Sequence, residues 1–222
     1  MVAWSVAAAA RAGAVGAIMV AAPPGLEGQV REALKTASVD LVAHSATNST
    51  VGAIAVVAGG ETRAESVANA LAHVDVDIVV IHDAARPLVT PSLIDSVVGK
   101  LRDRPDADGV IAAAPLADTV KRAREPRPAK GEFARGGPTV RKTESRDHLW
   151  AAQTPQAFRT ARLRAAYDAA DPQRVAAATD EAMLVEKAGG KVLIEPAPAW
   201  NLKVTAPEDV RVAELLLAGQ SG

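Results

Sequence analysis

Residues 78–82, Ile-Val-Val-Ile-His, are followed at once by Asp83, Ala84, Ala85, Arg86 and Pro87. A short β-branched run reads as a strand buried on both faces, which requires helices above and below it. A carboxylate and a guanidinium just past such a strand fall at the carboxyl rim, where open α/β sheets take their ligands. Pro87 removes an N–H donor and so ends the ladder. Asp83 suits a Mg²⁺ ion that arrives on phosphates, and Arg86 suits a pair of phosphate oxygens. The plainer alternative is an Asp–Arg ion pair closing a turn.

The same pattern recurs along the chain. Strands are expected at 15–21, 53–58, 78–82, 109–114, 191–195 and 202–205. Helices are expected at 2–11, 28–36, 63–72 and 91–101, the last with Pro91 at its start, and near 160–170, 180–188 and 207–217. This alternation argues for an α/β fold, a doubly wound and mostly parallel sheet with helices on both faces, in a single domain over residues 1–222. Residues 117–146 interrupt it. They are rich in Pro, Arg, Lys and Gly, and 121–146 carry nine Lys/Arg against three Asp/Glu. Short alternating pieces at 118–122 and 138–142 favour a protruding β-arm, and an arm with so few apolar residues needs a partner to pack against.

Several function classes are disfavoured by what the chain contains. It has no cysteine, hence no disulfide framework or thiolate metal site, and no 18-residue apolar stretch, so a cytoplasmic protein without a membrane partner is expected. The apolar residues 1–10 lack a basic leader and run into Arg11, unlike a signal peptide. Aromatic content is 3%, and the basic run carries no interleaved aromatics, which argues against a nucleic-acid partner. His44, His73, His82 and His148 show no metal-ligand spacing; His82 reads as a packed or hydrogen-bonded core residue. Neither a Gly-x-Ser-x-Gly elbow nor a Walker-type loop occurs, so covalent catalysis has little support.

What remains are groups suited to binding phosphates at several points. Gly59 and Gly60 lie between a strand and a helix, where a ligand can approach the backbone, while Thr62 and Glu65 read as a capping box. Thr119, in Asp-Thr-Val-Lys, offers a hydroxyl to a phosphate oxygen. Residues 153–156, Gln-Thr-Pro-Gln, read as a polar turn. Thr179, Asp180 and Glu181 read as a helix cap with acids in the first turn. Lys203, on an apolar strand, calls for a countercharge.

Taken in order, residues 59–66, 82–87, 118–121, 146–158 (Arg-x-x-Leu-Trp-x-x-Gln-Thr-Pro-Gln-x-Phe), 179–180, 201–205 and 207–209 resemble the cytidylyltransferase family that acts on 2-C-methyl-D-erythritol 4-phosphate. The resemblance covers nearly the whole chain. It implies a nucleotidyltransferase fold, CTP and a polyol phosphate as substrates, a divalent cation such as Mg²⁺, and a homodimer in which each arm of about 117–146 clasps its partner. It further implies that Gly59, Gly60 and Ser66 face cytosine and sugar, and that Asp83 and Ala84 lie near ribose, phosphates and metal. Arg86, Thr154 and Thr179 would hold the polyol phosphate. Thr119 and Arg146 would come from the partner's arm, with Arg146 and Lys203 positioning the attacking phosphate.

The resemblance departs at the beginning. The family opens with a strand and a loop of the form Ala-Ala-Gly-x-Gly-x-Arg, then Pro-Lys, which wrap and neutralise the triphosphate; Gly13 and Gly16 do not fit that pattern. Residues 1–5 look like the segment that normally follows, so the sequence reads as beginning at an internal methionine of a longer, active protein. On that reading residues 1–222 alone should fold poorly or turn over weakly, with two ladders left facing an unpaired gap. The rival readings are a cytidylyltransferase for another polyol phosphate, such as ribitol 5-phosphate, and a non-catalytic dimeric binding protein.

Overall fold

The structure, a computed structural model, describes residues 1–44, 53–124 and 138–219. Its elements run α1 (Val2–Arg11), β1 (Ala17–Ala22), α2 (Glu27–His44), β2 (Ala53–Ala58), α3 (Arg63–Leu71), β3 (Ile78–Ile81), α4 (Pro91–Asp103), β4 (Gly109–Pro115), β5 (Lys121–Arg124) and β6 (Thr139–Thr143). They continue with β7 (Trp150–Arg159), α5 (Thr160–Ala169), α6 (Pro172–Ala177), α7 (Glu181–Lys187), β8 (Val192–Pro196) and α8 (Pro207–Gly219). The helix starts follow their caps. Thr62 and Glu65 form the expected capping box on α3, Thr90 caps α4 ahead of Pro91, and Asp180 caps α7.

The main sheet has the order β3-β7-β4-β8. β4 and β8 pair in parallel, whereas β7 pairs antiparallel with both β3 and β4, so β3, β4 and β8 share one direction. β1 and β2 form a separate parallel ladder. Among the described residues, no strand joins β1 to β3. Helices connect the two ladders instead: α3 packs on β1 and β2 while Leu71 reaches the Phe158 cluster, and Ala8 of α1 with Ala12 just past its end packs with Val89, Ile94 and Val80. β5 and β6 pair antiparallel, exposed along their whole length, as the two sides of the arm; its middle, 125–137, lies outside the described residues.

The core lies on both faces of β4 and β7. On one face α4 presents Leu93, Val97 and Leu101 at helical spacing, buried with Val98 against Val110, Ala112 and Ala157. On the other face Phe158 and Ile111 meet Leu163 of α5 and Leu184 and Val185 of α7. The Phe158 ring sits over Gly109, its partner across the ladder; a Cβ there would lie 2.5 Å from a ring carbon. Truncating this fully buried ring to alanine costs about 3–5 kcal/mol by loss of transfer energy and a residual cavity.

The structure corrects four expectations. Residues 153–156 are part of β7 rather than a free turn; the register shifts between Ile111 and Ala113, so Pro155 sits in a bulge where no ladder donor is required. Residues 202–205 form no strand. Asn201 is held by side-chain bonds and Thr205 by Asp209, which leaves a loop whose Val204 N–H donates to the Ala85 carbonyl at 2.8 Å. The helix expected at 28–36 runs from Glu27 to His44, and α6 was not anticipated.

Candidate active site at the carboxyl rim

The loop after β3 is a tight turn, with the Arg86 N–H donating to the Asp83 carbonyl at 2.9 Å. It is held by Ser5 of α1, whose hydroxyl donates to the Ala84 carbonyl at 3.3 Å, and by Val204 from the loop before α8. Asp83, Arg86, Lys203, Thr154 and Thr179 all line one cavity of about 190 Å³, together with Arg63, Ala152, Gln153, Gln156 and Asp180. Five of the residues expected from the sequence thus converge from segments more than 100 residues apart.

Asp83 does not pair with Arg86. Its Oδ1 accepts from Arg63 Nε at 2.9 Å, and its Oδ2 lies 3.0 Å from Lys203 Nζ. Burial pushes the Asp83 carboxyl up, but Arg63 and Lys203 outweigh burial and hold it below the usual carboxylate range. Lys203 therefore has the countercharge that the sequence called for. Arg63 also binds Glu181, Nη1 to Oε1 at 2.8 Å. Glu181 is 1% exposed; burial raises its carboxyl above the ordinary range, Arg63 opposing, and Oε2 has no hydrogen-bond partner among the described residues. Arg63 thus ties the start of α3, the end of β3 and the start of α7 together.

Arg86 is held differently. Nη1 donates to the Asn201 carbonyl at 2.7 Å, Nη2 contacts the Ala152 carbonyl at 3.5 Å, and it makes no ion pair among the described residues. Burial lowers its pKa and nearby Asp83 opposes. Backbone carbonyls orient this cation without cancelling its charge, which leaves it suited to an anion. A polar layer fixes the floor. Asn201 Nδ2 donates to Gln153 Oε1 at 2.8 Å and the Thr154 carbonyl at 3.0 Å, and Gln156 Nε2 donates to Asp180 Oδ2 at 3.0 Å. His82 contacts Thr154 and the Arg86 carbonyl through its two nitrogens, and burial lowers its pKa to about 4, with the bond to Arg86 opposing.

The glycine turn has a packing reason of its own. A Cβ on Gly60 would lie 2.2 Å from Glu65 Cβ, and one on Gly59 would lie 2.7 Å from Ser66 Oγ. Ser66 Oγ accepts from the Gly60 N–H and donates to the Thr62 carbonyl, each at 3.0 Å. Gly59, Gly60 and Ser66 do not line the cavity; Arg63, three residues before Ser66, connects their turn to it. Ala84 is exposed on the loop. Thr119 and Arg146 are exposed near the arm and are not brought to the cavity within one chain.

A divalent cation fits this donor set only when phosphates supply most of the ligands. No group of three or more His, Cys, Asp or Glu among the described residues could hold one, and Asp83 is the carboxylate best placed to contribute. Sequence reasoning missed Arg63, Glu181 and the Gln153–Gln156–Asn201 layer. Arg63 had a detectable signal: a cation in the first helical turn opposes the helix dipole and calls for nearby carboxylates.

A family model for IspD, 2-C-methyl-D-erythritol 4-phosphate cytidylyltransferase, matches residues 1–219. A bifunctional enzyme IspD/IspF of Anaeromyxobacter dehalogenans is 46% identical over 162 residues, 72% of this chain and 39% of that protein. The 2-C-methyl-D-erythritol 4-phosphate cytidylyltransferase of Rubrobacter xylanophilus is 44% identical over 165 residues, 72% of this chain and 64% of its own length. The chain thus spans less than two thirds of these relatives. The crystal structure of the Thermus thermophilus 2-C-methyl-D-erythritol 4-phosphate cytidylyltransferase superposes with a TM-score of 0.66 at 30% identity, over 96% of this chain and 86% of that one. With a mixed sheet flanked by helices and a family model matching residues 1–219, the chain belongs to the 2-C-methyl-D-erythritol 4-phosphate cytidylyltransferase family.

Proposed function

We propose that this protein transfers a cytidylyl group from CTP to 2-C-methyl-D-erythritol 4-phosphate, giving the CDP-polyol and pyrophosphate for isoprenoid precursor synthesis in the cytoplasm. The observation that carries this reading is one cavity with three cations, Arg63, Arg86 and Lys203, beside the hydroxyls of Thr154 and Thr179, with Arg86 free of any carboxylate partner among the described residues.

The chemistry requires little more. A phosphate monoester is already largely dianionic at neutral pH, its second pKa being about 6, so its oxygen attacks without a general base. A bond forms from that oxygen to the α-phosphorus of CTP, the bond to the bridging oxygen breaks, and pyrophosphate carries the electron pair away. Catalysis then consists of alignment and charge neutralisation. Arg86 and Thr179 receive the polyol phosphate, and Lys203 passes from Asp83 to the attacking phosphate. Gly59, Gly60, Ser66 and Ala84 frame the nucleotide. Mg²⁺, contacted by Asp83, would supply further neutralisation of the triphosphate.

Thr119 and Arg146 enter from the arm of a second copy in a homodimer. Support for this comes from their exposure away from the cavity and from Val140, Leu149 and Trp150, which leave apolar surface uncovered on and beside the arm, 64%, 37% and 38% exposed. Pyrophosphate release on mixing the protein with CTP, Mg²⁺ and 2-C-methyl-D-erythritol 4-phosphate tests the reading. Release that depends on this polyol phosphate is expected. Preference for ribitol 5-phosphate, or calorimetric binding with no release, would replace it with one of the rival readings.

A further inference from the structure

His82 closes β3 with both ring nitrogens engaged. Nε2 lies 3.1 Å from the Arg86 carbonyl oxygen, and Nδ1 lies 2.9 Å from Thr154 Oγ1. A carbonyl only accepts, so the ring proton sits on Nε2 and Nδ1 carries the lone pair. The 2.9 Å contact at Nδ1 is then a hydrogen bond given by the Thr154 hydroxyl. That hydroxyl has one proton, now turned toward His82, and two lone pairs, one of which accepts the Asp83 N–H at 3.0 Å. What Thr154 retains for the cavity it lines is a single lone pair.

We infer that His82 is a positioning residue: as the Nε2–H tautomer it turns the Thr154 proton away from the cavity, so that Thr154 accepts a hydrogen bond from a polyol hydroxyl instead of donating one to phosphate. A phosphate oxygen brought against that lone pair would meet acceptor against acceptor, whereas a sugar-alcohol O–H supplies the missing donor. This reverses the role expected for Thr154 from the sequence. Phosphate recognition is left to Arg86, Lys203 and Thr179, and Thr154 reads the carbon chain. The same histidine anchors the Arg86 carbonyl and, through Thr154, the Asp83 N–H. One ring therefore registers the turn that carries both of those site residues.

The recognition half of this inference rests on the polyol-phosphate reading, and the tautomer does not, so two measurements separate them. The first is ¹⁵N NMR of the histidine side chains in the full chain, with His82 assigned by its loss in His82→Asn. A protonated Nε2 and bare Nδ1 are expected; an Nδ1–H tautomer overturns the inference. The second is calorimetry with 2-C-methyl-D-erythritol 4-phosphate and, separately, inorganic phosphate. His82→Leu and Thr154→Val should each weaken polyol-phosphate binding about tenfold, the scale of one lost buried hydrogen bond, and Thr154→Val, which keeps the His82 contact to the Arg86 carbonyl, should leave inorganic phosphate unchanged. His82→Asn, whose Oδ1 can take the place of Nδ1, should restore most of the affinity. Equal losses for both ligands would make Thr154 a phosphate donor and overturn the inference. Absence of any binding by the unaltered protein would overturn the polyol-phosphate reading and the recognition half with it, while NMR still decides the tautomer.

Discussion

At the carboxyl end of β3, Asp83 meets Arg63 and Lys203; at the amino end of β4, Asp106 and Asp108 meet Arg104, Arg162 and Lys191. Both regions gather carboxylates and cations, and each borders a cavity, the amino-end one being larger at about 240 Å³ against 190 Å³. They differ in what surrounds the charges. At the amino end the cation side chains are 46–60% exposed, and the cavity wall is Val185, Gly190 and several alanines. Arg104 and Lys191 hold the Asp106 carboxyl well below its ordinary range, yet Asp106 and both its partners are half exposed and water screens these pairs. At the rim, Asp83 and Glu181 are enclosed, Arg86 is oriented by carbonyls alone, and hydroxyls and amides converge on the same space. The difference teaches that cavity size and charge count do not set the rim apart; a cation that lines the cavity, is held by carbonyls and has hydroxyls and amides beside it does, whereas Arg159 at the amino end, also held by carbonyls, lines no cavity wall there.

The sharpest way to break this comparison is Asp83→Ala, which removes the carboxylate shared by Arg63 and Lys203. It should cut pyrophosphate release by about two orders of magnitude, as loss of a preorganised charge in a reacting site does; an unaltered initial rate would place the chemistry elsewhere. Arg63→Gln comes next. Breaking an enclosed pair costs about 3–5 kcal/mol, and because the Arg63 side chain is 32% exposed, a loss of about 2–3 kcal/mol is expected in urea unfolding.

Much of the rim was legible in the sequence because its parts follow local rules. The run 78–82 with Asp83 and Arg86 announces a strand and its loop, and Thr62 with Glu65 announces a helix start. Partners were harder to read. Nothing near Asp83 in the chain identifies Arg63 or Lys203 as its ion pairs, since both contacts arise from folding across 20 and 120 residues. β7 escaped because Pro155 normally argues against a central strand, and only the bulge opposite Ala112 accommodates it. Glu181 looked like an acid of the first helical turn and is one, but its burial comes from Tyr167 and Arg63, which no local pattern places beside it.

Acid titration sharpens the contrast within the rim itself. Asp83 has a depressed folded pKa, so its contribution is present above the ordinary aspartate value of 3.8 and is lost as pH falls through the depressed value. Glu181 has a raised folded pKa and acts with opposite sign: the native state holds its proton more tightly, so stability falls as pH rises from the ordinary 4.5 through the raised value. Denaturation midpoints against pH should therefore show wild type losing ground to Asp83→Asn below pH 3.8, and to Glu181→Gln above pH 4.5. Parallel curves would contradict both assignments. The smallest effect belongs to the amino end, where Asp106→Asn should leave both the urea midpoint and the rate of pyrophosphate release at their wild-type values, its ion pairs being screened by water.

The most direct measurement is a crystal structure with 2-C-methyl-D-erythritol 4-phosphate bound. The phosphate should lie between Arg86 and Lys203, with Lys203 drawn off Asp83, and with Arg146 of a second copy close by. A phosphate seated instead against Arg162 and Lys191 at the amino end, with the Lys203–Asp83 pair intact, would contradict the assignment of the carboxyl rim as the active site.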